Sequence, residues 1–85
     1  MDYVCFDIET TGLDPIKDRI TAIAVMNGFG ADALVDKDEK RMLEELWAML
    51  GRKMPYFRLV GFNCMSFDVP FILVRSFKHN VKVLA

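Results

Sequence analysis

Apolar and polar side chains alternate from the start of the chain. Tyr3 to Phe6 is an apolar run that passes into Asp7-Ile8-Glu9, with Val4, Phe6 and Ile8 on one parity and Asp7 and Glu9 on the other. This pattern predicts a strand over 3–9, with the two carboxylates on one face about 7 Å apart along the strand. Thr10-Thr11-Gly12-Leu13-Asp14-Pro15 follows as a loop, because Pro15 biases Asp14 away from helix. Residues 19–26 (RITAIAVM) are almost all apolar or β-branched at their centre and predict a second strand buried on both faces. Asn27-Gly28 is a strong signal for a type I′ hairpin turn. A weaker edge strand over 29–35 should follow, marked by Gly30, Ala31 and Asp32.

The period then changes. Met42, Leu43, Leu46, Trp47 and Leu50 make a core stripe at helical spacing, with Glu44 and Glu45 outward. A helix over 37–50 fits, opened by an Asp36/Glu39 capping box and ended by Gly51 and Pro55. A fourth strand is expected over 58–62, then a loop over 63–66. A second helix should run from Phe67 or Asp68 to Lys78, with Pro70 in its first turn and apolar residues almost all round its first half. His79-Asn80 reads as its end, and Val81 to Leu84 as the start of a further element. The order β-β-β-α-β-α implies an antiparallel meander and a helical crossover that returns the fourth strand parallel to a neighbour. If that neighbour is the first strand, Asp7, Glu9 and residues 63–68 converge at the carboxyl ends of the strands, where open α/β sheets carry their sites.

Composition bounds this picture. Eighty-five residues make at most one domain, 1–85, and 53% apolar residues suffice for a core. No apolar run is long enough to span a bilayer, the N-terminus lacks a basic leader, and Cys5 and Cys64 form no metal-ligand pattern. A cytoplasmic protein with reduced thiols, and no membrane partner, is the expectation. Residues 1–50 carry five Lys/Arg against eleven Asp/Glu, whereas 51–85 carry six basic residues against Asp68 alone. One half can thus hold cations while the other attracts phosphates, although solvated basic surface explains the second half equally well.

Acidic pairs at strand ends are commonly just solvated, so Asp7 and Glu9 need an independent third carboxylate before a divalent cation is implied. Asp68 supplies it. It is the only acid in the last 35 residues and stands at a helix N-terminus, where the dipole favours its charge. On position alone, helix cap and metal ligand are equally good readings.

The stretch Gly61-Phe62-Asn63-Cys64-Met65-Ser66-Phe67-Asp68-Val69-Pro70-Phe71, together with Phe6-Asp7-Ile8-Glu9-Thr10-Thr11-Gly12-Leu13, closely resembles the first two motifs of the DEDD 3′–5′ exonucleases. The likeness is strongest to the proofreading exonuclease of family-B DNA polymerases and its stand-alone relatives. It implies a truncated ribonuclease H-like α/β fold and a phosphodiesterase using two Mg²⁺ or Mn²⁺ ions. In that resemblance Asp7 bridges both metals, Glu9 ligates the metal of the attacking water, and Asp68 holds the other. Thr10, Thr11, Gly12 and Leu13 would pack against the terminal nucleotide, and Asn63 and Phe67 would line the cleft. The implied partner is a single-stranded DNA or RNA 3′ end, drawn in by the basic residues of the second half.

The same pattern calls for a third motif, a Tyr or His followed by a fourth Asp on a later helix. No Asp or Glu follows Asp68. His79 reads as a surface cap, and Tyr3 and Tyr56 lie outside the relevant region. The expectation is therefore weak or absent activity from these 85 residues alone. The alternatives are a homo-oligomer or partner chain that supplies the missing parts, or a non-catalytic module that binds nucleic acid or protein.

Overall fold

The computed structural model describes residues 2–27, 30–53, 57–59 and 64–83. Its elements are β1 (Asp2–Thr10), β2 (Ile20–Asn27), β3 (Gly30–Leu34), α1 (Glu39–Lys53), β4 (Phe57–Leu59), a π-helical turn (Cys64–Asp68) and α2 (Val69–Lys78). The four strands form one sheet in the order β3-β2-β1-β4, with β1–β2 and β2–β3 antiparallel and β1–β4 parallel. The meander, the helical crossover and the placement of β4 beside β1 are as expected. The anticipated type I′ turn lies outside the described residues at Gly28, as do residues 60–62 of the expected fourth strand.

Alternation on β1 is what divides the sheet into two faces. Val4, Phe6 and Ile8 are buried against Ile23 and Val25 of β2, Leu34 of β3, the α1 stripe Met42, Leu43, Leu46, Met49 and Leu50, and Phe71 and Ile72 of α2. Ile20 and Ile23, three residues apart, would face opposite ways in a regular strand, yet both are fully buried. The register supplies the reason. Glu9 pairs with Ala22 but Thr10 pairs with Ile20, so Thr21 is an extra residue and the bulge flips the alternation. The expectation that β2 is buried on both faces is corrected: Ala22, Ala24 and Met26 remain half-buried on the face away from the core.

The helices depart from expectation at their ends. Asp36 and Glu39 form no capping box. Asp38 is the cap instead: its carbonyl accepts the first helical bond from Met42 N–H at 3.1 Å, and its Oδ1 accepts from Arg41 N–H at 3.3 Å. Asp36 Oδ1 accepts from Asp38 N–H at 2.9 Å, and Glu39 turns inward. α1 continues through Gly51 to Lys53 rather than stopping at 50. A glycine costs least near a helix end, and basic residues there suit the dipole. Residues 64–66, expected as loop, belong to the π-helical turn. α2 ends as expected, in a Schellman motif: Asn80 takes φ 57°, its N–H bonds to the Phe77 carbonyl, and Val81 N–H bonds to the Ser76 carbonyl. Val81 is buried in the core, but residues 81–83 begin no new strand or helix.

Candidate functional site

β1 places Asp7 and Glu9 side by side on the face opposite the core, both exposed. Their cross-strand neighbours are Ala24 and Ala22, and Ala24 is in turn paired with Ala33 of β3. The residues directly opposite the two carboxylates on β2 thus carry only methyl groups. Nothing in the core needs these carboxylates.

Asp68 arrives from the other direction. The π-helical turn feeds it into α2 at helical dihedrals (φ −66°, ψ −48°), and its side chain makes no cap hydrogen bond. The cap reading, open from sequence, is thereby removed. Instead Asp68 is buried and its carboxylate takes the Ile8 backbone N–H, further along β1 than the Asp2 to Val4 stretch that pairs with the described β4. Burial pushes the Asp68 pKa up, the neighbouring Asp7 charge pushes it the same way, and the Ile8 hydrogen bond only partly offsets them. Asp68 therefore feels the Asp7 charge from β1.

Such a pair suits a hard divalent cation, whose charge would remove the repulsion and replace lost solvent with oxygen ligation. Among the described residues, however, no three His, Cys, Asp or Glu side chains gather closely enough to hold a metal ion. Of the three acids, Asp68 lies within reach of the Asp7 charge. Glu9 shares the exposed face of β1 with Asp7.

The loop after β1 is tightly built. Thr10 Oγ1 donates to the Gly12 carbonyl at 2.7 Å, and Thr11 N–H donates to the Arg19 carbonyl at 2.9 Å. A Cβ at Gly12 would collide with the Asp18 carboxylate, which itself accepts from Asp14 N–H at 2.9 Å. Leu13, in contrast, is 82% exposed. Phe67 is half-buried, its ring centroid 5.4 Å from that of Phe71, so it belongs partly to the core. Asn63 lies outside the described residues.

Two sequence readings change here. Arg75 is one of the six basic residues of the second half, but it is buried and not available to a polynucleotide, with Nε at 3.1 and 3.0 Å from the two oxygens of Glu39. His79 does end α2, yet its Nε2 lies 2.7 Å from Glu39 Oε1, so it is part of the same cluster rather than a plain surface cap. Ile20 N–H completes the set on Glu39 at 2.6 Å. Burial works to raise the Glu39 pKa, but the hydrogen bonds from Arg75, Ile20 and His79 and the Arg75 charge together hold it below its ordinary value. No sequence spacing links residues 36 to 40 positions apart, and the only hint was an acid placed where α1 begins its buried stripe.

Known proteins place this geometry in a family. Residues 4–84 match the RNase H superfamily. An uncharacterized protein of Methanocaldococcus jannaschii is 39% identical over 83 residues, covering 98% of this chain, and the chain spans 46% of that protein's length. The structure superposes with a TM-score of 0.82 on a family B DNA polymerase from Pyrobaculum calidifontis, at 24% identity, covering 96% of this chain and 12% of the polymerase. The fold is nuclease-like α/β, with a β-meander, a helical crossover and a parallel fourth strand, and the chain belongs to the RNase H superfamily.

Proposed function

We propose that this chain is a metal-dependent 3′–5′ exonuclease domain acting on single-stranded nucleic-acid 3′ ends, with low activity in these 85 residues alone. The observation that carries the reading is buried Asp68, a carboxylate that caps nothing and feels the like charge of Asp7. The RNase H-like fold, and its likeness to a segment of a family B polymerase, supports phosphodiester chemistry on the same sheet. Asp7 and Asp68 would hold one Mg²⁺ or Mn²⁺, and Asp7 and Glu9 the other. When bound, the ions supply a water nucleophile at neutral pH and neutralise charge on the leaving 3′-oxygen.

The protein's own residues then bind and orient. The Thr10–Leu13 turn offers backbone groups beside Glu9, and exposed Leu13 offers an apolar surface for a terminal base. Phe67, half-buried in the π-helical turn, would border the cleft from the other side. A partial set of carboxylates should turn over slowly, because members of such a site act as a unit.

The test is a 5′-labelled single-stranded oligonucleotide, DNA or RNA, incubated with the chain and Mn²⁺. A slow ladder shortening from the 3′ end, lost in Asp7→Asn and in EDTA, is expected. Cleavage that persists in EDTA, or in the middle of the strand, would contradict it.

A second reading is a nucleic-acid-binding module without catalysis. The lack of a three-residue cluster among the described residues favours it. Oligonucleotide binding that is salt-sensitive but indifferent to Mn²⁺ and to Asp7→Asn would select it.

A further inference from the structure

The loop that joins β1 to β2 carries Thr10–Leu13, and apolar burial does little to hold it: Leu13 is 82% and Ile16 70% exposed. Polar clasps hold it instead. Near its ends, Thr11 and Arg19 exchange two bonds, Thr11 N–H to the Arg19 carbonyl at 2.9 Å and Arg19 N–H to Thr11 Oγ1 at 3.0 Å. Ile20 N–H, where β2 begins, is anchored on Glu39. At the loop's far point, the Ile16 carbonyl accepts from Arg75 Nη1 at 3.3 Å and from Lys78 Nζ at 2.8 Å, with the Pro15 carbonyl 3.5 Å from the same Arg75 nitrogen.

Stability alone is a weak account of a buried ion pair, since apolar replacements often serve as well. A guanidinium offers something else. Glu39 takes Nε and Nη2, which fixes the plane of the fork and aims Nη1 at the loop. We infer that Arg75, locked by Glu39 and seconded by Lys78, is a positioning residue that holds the Pro15–Ile16 segment and so sets the pose of Thr10–Leu13. That this pose serves a nucleotide rests on the nucleic-acid reading above.

Arg75→Lys in the full chain separates the two duties. Lysine keeps one charge for Glu39 but cannot also reach the loop carbonyls. Amide hydrogen exchange at Thr11 and Asp18, whose N–H groups bond within the loop, should accelerate about tenfold while the β1–β2 amides keep their protection. Unchanged exchange at Thr11 and Asp18, or an equal rise throughout the sheet, would overturn the inference. If Arg75→Lys does not fold, Lys78→Met removes an exposed donor to the same carbonyl. A gain of roughly twofold or more at Asp18 is then expected, and no gain would contradict the clasp.

A second arm uses labelled oligothymidylate with Ca²⁺. Affinity should fall roughly fivefold in Arg75→Lys, and Leu13→Ala should cost less in that background than in the unsubstituted chain. Full affinity in Arg75→Lys, with Leu13→Ala still harmful, would overturn it. An unsubstituted chain that does not bind oligothymidylate refutes the nucleic-acid reading by itself, and the exchange measurement still decides the clasp.

Discussion

Two buried carboxylates in this chain have opposite environments, and pH should separate them. Glu39 receives four donors from Ile20, Arg75 and His79, which hold its pKa below the ordinary 4.5 despite burial. A depressed folded pKa gives stability that is present above the unfolded value and lost as pH falls through the folded one. Asp68 runs the other way. Its raised folded pKa means that its ionisation costs stability, a cost that appears as pH rises from the ordinary 3.8 through the folded value. Urea unfolding between pH 3 and 7 should therefore show Glu39→Gln losing most of its deficit at the acid end, whereas Asp68→Asn should be relatively most stable near neutrality. A Glu39→Gln deficit that is constant across this range would contradict the assignment. Removing one partner of a buried pair costs on the order of 3–5 kcal/mol, and Glu39→Ala should fall in that range at pH 7.

At the level of elements, local signals fixed the middles and tertiary contacts decided the ends. The alternation of Val4, Phe6 and Ile8, and the stripe from Met42 to Leu50, were legible because each is a period imposed by one buried face. The Asp36–Glu39 spacing misled because Glu39 has better partners across the fold, leaving Asp38 to cap α1. The Thr21 bulge could not be read either, since it is a property of the pairing with β1 and not of β2's own residues. Asn80 was legible as a stop, and its positive φ makes a sharp prediction. Asn80→Ala should destabilise by about 1–2 kcal/mol, and Asn80→Gly should be neutral or stabilising, in thermal unfolding. Equal effects would show that the turn does not demand a left-handed residue. Gly12 is constrained by contact: Gly12→Ala should cost about 1–3 kcal/mol, and shortening the obstructing side chain with Asp18→Gly should recover part of it.

Across the whole molecule, the division of charge between the halves survives only in part. Arg75 is consumed internally by Glu39, and Lys78 is engaged with the β1–β2 loop, so the basic second half offers a polynucleotide less than its composition promised. No helix among the described residues is long and apolar enough to cross a membrane. The acids of the candidate site fare better: Asp7 and Glu9 stand exposed on β1 with Ala24 and Ala22 as cross-strand neighbours, and Asp68, at the end of the π-helical turn, accepts from Ile8 N–H. The opening motif and the topology could be read from sequence because both are local or follow from element order. The degree to which three acids close on one another could not, because it depends on how far the helix after β4 leans toward the strand.

The most direct measurement is a Mn²⁺ titration followed by electron paramagnetic resonance, on the unsubstituted chain and on Asp7→Asn and Asp68→Asn. Saturable binding that weakens about tenfold or more in each variant, with Tm unchanged or raised, is the predicted result. No saturable binding, or binding that neither substitution weakens, would contradict the assignment of Asp7 and Asp68 to a metal site.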